Sequence, residues 1–204
     1  MNAPLIVATR NAHKLREISE ILGVPVQDVT AVGNPPEVEE TGLTFAANAE
    51  LKALAISQLT DRWVLADDSG LEVDALGGAP GVRSARFAGE GASDADNRNA
   101  LRDRLLASGV LEPWTARFRC VLALARNGRV EALFEGACEG RIIPDECGER
   151  GFGYDSLFVP SGYEETFAEL PSETKHSLSH RGLALRRLAA SGALVGYRVD
   201  SPRP

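Results

Sequence analysis

The stretch LIVATRNAHKLREISEILG, residues 5–23, opens with four apolar residues and passes directly into a polar, cationic segment. Residues 5–8 read as a buried strand. Residues 11–22 read as a helix, because Leu15, Ile18, Ile21 and Leu22 fall on one face and Gly23 follows as a stop. The chain therefore opens β then α. A strand-to-helix turn needs one capping side chain, which Asn11 supplies, so Arg10 and Lys14 call for a further explanation.

The rest of the chain extends this alternation and then interrupts it. A loop is expected at Asn34-Pro35-Pro36, and a second helix over residues 44–59 with Thr44 as its cap. Residues 63–66 predict a second buried strand ending at Asp67-Asp68-Ser69-Gly70, with extended structure resuming over 71–73. Glycine and proline over 77–81 mark a loop. Residues 93–107 predict a third helix, with Asp early and Arg late as a helix dipole favours, stopped by Ser108-Gly109. Residues 115–125 and 130–140, joined through Asn127-Gly128, predict an antiparallel hairpin, since Asn-Gly readily takes the positive φ angles of a tight turn. A strand over 154–159 and a helix over 178–190, closed by Gly192, complete the reading. Early βα alternation with a central hairpin predicts an α/β protein with a mixed sheet. With no internal repeat or linker, residues 1–204 are expected to form a single domain.

Composition narrows the function. Lys and Arg number 22 against 29 Asp and Glu, a formal charge of −7, so no basic field exists to hold a nucleic-acid polymer. A few cations gathered at one place could still bind a small anion. The three cysteines, Cys120, Cys138 and Cys147, lack CxxC spacing, and the three histidines, His13, His176 and His180, lack HExxH spacing. Any metal is then expected to be a hard cation on carboxylates, with Mg²⁺ foremost. No apolar run approaches the roughly 18 residues needed to span a bilayer, and a cytoplasmic protein without membrane partners is expected.

Five segments carry candidate chemistry. At 9–14 a strand end meets a helix N-terminus, where unpaired N–H groups and partial positive charge suit a phosphate. Thr9 and Asn11 could orient hydrogen bonds there and Lys14 could reach the same anion, although no Walker glycines are present. Glu39 and Glu40 precede the second helix and Lys52 lies within it. Asp67 and Asp68 sit where α/β sheets place ligands; alternation along a strand sends them to opposite sides, and geometry alone does not choose between them. In GERGFGYDSLFVP, residues 148–160, the glycines precede a strand, which rejects a dinucleotide fingerprint, while Phe152 and Tyr154 around Gly153 offer an aromatic face for a base. In KHSLSHRGLALRRL, residues 175–188, Ser177 is the expected cap, Lys175 precedes the helix, and His180 with Arg181 could donate to a carbonyl oxygen or ring nitrogen.

In this order the segments resemble the non-canonical purine nucleoside triphosphate pyrophosphatases, the inosine triphosphatase-like family. The resemblance rests on T-x-N-x-x-K at 9–14, EETGxTFxxNAxxKA at 39–53, ADDSGL at 66–71, PGVxSARFAG at 80–89, GFGYD at 151–155 and SHR at 179–181. It implies a long mixed central sheet flanked by helices, two lobes around a nucleotide-binding cleft, and a homodimer. It further implies Mg²⁺-dependent hydrolysis of dITP, ITP and XTP to the monophosphate and pyrophosphate. By the same resemblance Asp68 is the general base, and Glu40 with Asp68 lies near the metal. Thr9, Arg10, Asn11, Ala12, His13 and Lys14 form the triphosphate loop, with Lys52 and Ser69 as further contacts. Phe152, Gly153, Tyr154, Asp155, Lys175, His180 and Arg181 then recognise the base, where Arg181 or a backbone N–H rewards a 6-carbonyl. Two positions depart from the pattern: Arg10 replaces a small residue, and Ala47 replaces a glutamate. The alternatives are a related pyrophosphatase acting on pyrimidine or modified nucleotides, and a nucleotide-binding regulatory module without turnover.

Overall fold

The computed structural model describes residues 3–33 and 35–194, and Asn34 of the expected loop lies outside them. Strand β1 (Leu5–Val7) leads into helix α1 (Ala12–Leu22), capped by Asn11. A short strand β2 (Val26–Gln27) and a 3₁₀ turn (Val29–Val32), neither foreseen from the sequence, precede helix α2 (Phe45–Ser57) and its cap Thr44. Strand β3 (Val64–Val73) is followed by 3₁₀ turns at Asp74–Leu76 and Gly81–Arg86 and by helix α3 (Asp94–Ala107). The hairpin forms as expected from β4 (Trp114–Arg126) and β5 (Arg129–Ile142), with φ of 51° at Asn127 and 72° at Gly128. Strand β6 (Phe158–Pro160), helix α4 (Ser172–Leu178) and helix α5 (His180–Ala190) follow.

The strands form one sheet in the order β2-β1-β3-β4-β5-β6, flanked by helices. β1 runs parallel to both β2 and β3, whereas β5 and β6 are antiparallel, so the sheet is mixed. Three expectations need correction. The second strand does not end at Asp67: β3 continues through Asp67-Asp68-Ser69-Gly70, with the two carboxylates held by cations from other elements in place of a turn. The strand expected over 154–159 is confined to Phe158–Pro160, because Asp155 and Leu157 donate their N–H groups back to Phe152 and Tyr154 in successive turns. The expected final helix forms as α5 but begins at His180, and an unforeseen helix, α4, precedes it: Ser179, whose ψ of 156° is extended, separates the two, and Ser177 donates to the Thr174 carbonyl instead of capping.

The chain divides into two compact units, one of residues 1–68, 120–136 and 181–204, the other of residues 69–119 and 137–180. In the first, Leu5, Val7, Leu65, Leu122 and Leu124 pack with Ile18 of α1 and Ala184, Leu185 and Leu188 of α5. Ile6, Val64 and Ala66, which alternation turns the other way, are also fully buried, so both faces of these strands are covered. The second unit has its own core, in which Leu101 and Leu105 of α3 meet Leu71, Val73, Trp114, Phe118, Phe158 and Phe167. Gly140 pairs with Pro160 in the β5–β6 ladder, and a Cβ there would lie 2.3 Å from the Val159 carbonyl oxygen. Backbone cannot yield as a flexible side chain can. Gly140→Ala is therefore expected to lower stability by about 1–3 kcal/mol in urea unfolding; unchanged stability would show that the ladder tolerates a wider spacing at this point.

Candidate active site

Asp67 and Asp68 are neighbours on β3 in the first unit, both buried, and each meets cations from elsewhere in the chain. Asp67 Oδ1 accepts from Lys14 Nζ at 2.7 Å and Asp67 Oδ2 from Arg181 Nε at 2.8 Å. Arg181 is itself buried and also donates to Glu17 Oε2 at 2.5 Å. The Cys120 thiol donates to Asp67 Oδ2 at 3.3 Å. Burial alone would raise the Asp67 carboxyl, but the charges of Arg181 and Lys14 and their hydrogen bonds outweigh it and hold its pKa well below the ordinary range. The same burial, beside the Asp67 charge, pushes the Cys120 thiol well up.

Asp68 has a different environment. Lys52 Nζ donates to Asp68 Oδ1 at 2.7 Å, to Glu40 Oε1 at 2.8 Å and to the Asp67 carbonyl at 2.9 Å. One ammonium thus ties α2, the loop before it and β3 together. Asp68 Oδ2 is buried and has no hydrogen-bond partner among the described residues. Burial raises the Asp68 pKa, Lys52 and Lys14 oppose that, and the Glu40 charge adds to it, with a net shift upward. For Lys52 burial acts downward, yet Asp68 and Glu40 prevail and its pKa rises. The Glu40 loop is fixed by Asn48, whose Oδ1 accepts from Gly42 N at 2.8 Å.

The N-terminus of α1 differs from its expectation. Asn11 Oδ1 accepts from His13 N at 2.9 Å and Lys14 N at 3.1 Å, and Thr9 Oγ1 accepts from Asn11 N at 3.0 Å. These backbone donors, expected to be unpaired, are satisfied within the loop by the Thr9 and Asn11 side chains. Arg10, Asn11, Ala12 and His13 are exposed, and the Arg10 guanidinium donates to the Pro35 carbonyl, joining this loop to the one at 35–36. Lys14 reaches Asp67 from one turn into the helix.

In the second unit the aromatic strip forms a turn. Tyr154 belongs to the core, and its hydroxyl donates to the Ser84 carbonyl at 2.8 Å, so its ring does not offer the open face expected of it. Phe152 is half-buried, with Lys175 Nζ 5.4 Å from its ring centre. Lys175, which lies inside α4 and not ahead of a helix, donates to Asp155 Oδ2 at 2.8 Å, and the same oxygen accepts from Phe152 N at 2.9 Å. His180 is buried and stacks on Phe118, with ring centres 4.8 Å apart. Ser69, next along β3 from Asp68, is half-buried.

The structure therefore brings Lys14, Glu40, Lys52, Asp68 and Arg181 into connected polar contacts in one unit, and Phe152, Asp155 and Lys175 in the other. Sequence reasoning leaves out Glu17, Asn48 and Cys120. Glu17 lies three residues after Lys14 on α1, a helical neighbour whose spacing was readable, but its partner Arg181 is 164 residues away.

Comparison with known proteins finds likeness over nearly the whole chain. The family model described as the Ham1 family matches residues 5–191. A dITP/XTP pyrophosphatase of Desulforamulus reducens is 52% identical over 187 residues, covering 90% of this chain and 92% of that protein. One from Bacillus subtilis is 44% identical over 188 residues, with 90% and 94% covered. Among solved structures, a HAM1 protein from Coxiella burnetii superimposes with a TM-score of 0.84 at 37% identity, covering 94% of this chain and 98% of that one. A family match of this extent, with relatives this similar along their whole lengths, leaves one assignment: the chain belongs to the Ham1 family.

Proposed function

We propose that this protein hydrolyses dITP, ITP and XTP to the monophosphate and pyrophosphate, with Mg²⁺, as a cytoplasmic homodimer. The names of the relatives support the substrate class. The observation that carries the chemistry is Asp68: one carboxylate oxygen is gripped by Lys52, and the other is buried without a partner. An orphaned buried oxygen costs free energy unless a ligand satisfies it.

Burial makes Asp68 a stronger proton acceptor than an exposed aspartate. It takes a proton from water, the oxygen attacks phosphorus, and the bond to the pyrophosphate leaving group breaks. Glu40 and Asp68 are the residues that would hold Mg²⁺. Bound there, Mg²⁺ would neutralise charge on the phosphates and on the leaving group. Lys14 and Lys52 add positive charge, and Thr9 to His13 with Lys14 receive the triphosphate.

In the second unit Phe152, Gly153, Tyr154 and Asp155, with Ser69, Lys175 and His180, contact the nucleoside; Tyr154 does so through its backbone, since its side chain is committed to the core. Arg181 is committed to Asp67 and Glu17, which favours a backbone N–H as the donor that rewards a 6-carbonyl. An amino group at that position would leave the donor unsatisfied, a mismatch able to give large discrimination.

Pyrophosphate release from ITP, dITP and XTP should exceed that from ATP, whose base carries an amino group in place of the 6-carbonyl, and should require Mg²⁺. Equal rates on ATP, or rates unaffected by chelation, would remove this reading. Asp68→Asn should reduce kcat by about 10²–10⁴-fold while nucleotide binding persists in calorimetry; near-normal turnover would take the proton-accepting role from Asp68. Asp67→Asn should cost about 3–5 kcal/mol at neutral pH, because it leaves buried Arg181 and Lys14 facing a neutral group. The ionised Asp67 stabilises the fold above the unfolded-state pKa of about 3.9, and this contribution is lost as pH falls towards the lower folded-state pKa. The stability gap between wild type and Asp67→Asn should thus narrow by about 1.4 kcal/mol per pH unit below about 3.9; a gap equal at pH values near 3 and 7 in urea titrations would contradict the assignment.

A further inference from the structure

Helix α3 contributes two polar side chains that neither the motifs nor the chemistry above uses. Asp94 Oδ2 accepts from Gly153 N at 2.7 Å, and Arg98 Nη1 donates to the Gly153 carbonyl at 2.9 Å. Both peptide groups of the central residue of the strip are held by residues one helical turn apart. We propose that Asp94 and Arg98 are positioning residues that fix the Phe152–Asp155 strip in the conformation that accepts the base. This rests on the reading that the strip contacts the nucleoside.

Three features separate this arrangement from incidental surface pairing. The capping of α3 is already complete without Asp94, since Ser93 and Asp96 form the reciprocal capping box. Asp94 is therefore available to Gly153, and its hydrogen bond is charge-assisted. Arg98 also spans the turn: its Nε lies 2.8 Å from Glu146 Oε2, which accepts from Ser156 Oγ at 3.0 Å. One guanidinium thus joins the segment before the strip to its middle, and Glu146 links that pair to the residue after the strip. From the opposite end of the strip, Asp155 holds Phe152 N and Lys175, and Tyr154 is anchored on Ser84. Phe152 and Gly153 are only half-buried, and the Gly153 contacts, together with the Asp155 bond to Phe152 N, hold the backbone that presents the Phe152 ring.

The test is steady-state kinetics on ITP and ATP with Asp94→Ala, Asp94→Asn, Arg98→Gln and, as a reference for the strip itself, Phe152→Ala. Asp94→Ala and Arg98→Gln should raise KM for ITP roughly tenfold with kcat nearly unchanged, the signature of lost uniform binding. Preference for ITP over ATP should fall in step, because a backbone N–H of the strip that rewards a 6-carbonyl would shift with it. Asp94→Asn, which keeps an acceptor oxygen, should restore KM. Inhibition by pyrophosphate, which carries no base, should be unchanged in all of them. If Phe152→Ala raises KM while Asp94→Ala and Arg98→Gln keep wild-type KM and selectivity, even with lowered melting temperatures, the positioning role is overturned and the strip reading stands. If Phe152→Ala itself leaves KM and selectivity unchanged, the strip reading fails and the proposal with it. Should Arg98→Gln not fold, Asp94→Ala still decides, since Asp94 is exposed and outside the capping box.

Discussion

Two consecutive buried carboxylates on one strand impose a condition that much of the first unit satisfies. Removing a carboxylate from water carries a penalty of several kcal/mol unless charge and hydrogen bonds offset it. Because β3 alternates, Asp67 and Asp68 cannot share one cation on one face. Asp67 draws Lys14 from α1 and Arg181 from α5, and Asp68 draws Lys52 from α2. Three helices are therefore tied to one strand by charge as well as by apolar packing.

The same condition separates the two acids chemically. Asp67 receives two cations and a thiol, and its pKa is driven well below normal. Asp68 shares its single closest ammonium with Glu40, keeps one oxygen without a partner, and is shifted upward. Adjacent residues of identical type thus differ in acidity because of their partners alone. Environments that push the pKa values of two carboxylates apart can give them different chemical roles.

In the second unit, polar contacts to the backbone do comparable work. The strip at 152–155 is held by Asp94 and Arg98 from α3, Asp155 within the strip, and Lys175 from α4. Unit boundaries fall between Asp68 and Ser69 and between His180 and Arg181, so two of the motifs divide their residues between units. His180 stacks on Phe118 while Arg181, its neighbour in the chain, serves Asp67 and Glu17. A run of three letters, SHR, is two different structural assignments.

The features legible in the sequence are those decided within a few residues. Asn11 and Thr44 cap helices because the N–H groups they bind lie two or three positions away, and Asn127-Gly128 closes its hairpin through its own backbone angles. The family motifs picked out acids and cations that the structure pairs, for a related reason: residue type and spacing are local. Tertiary structure decided the rest. Whether β3 would continue through Asp67-Asp68 depended on neutralising charges at positions 14, 52 and 181, and the shortening of β6 depended on the turns around Asp155 and its bond to Lys175. Which aspartate kept an unpartnered oxygen, and whether Arg181 would face a ligand or a carboxylate, were likewise set by partners distant in the chain. Charge interactions act through space, so their balance was fixed only once the chain had closed upon itself.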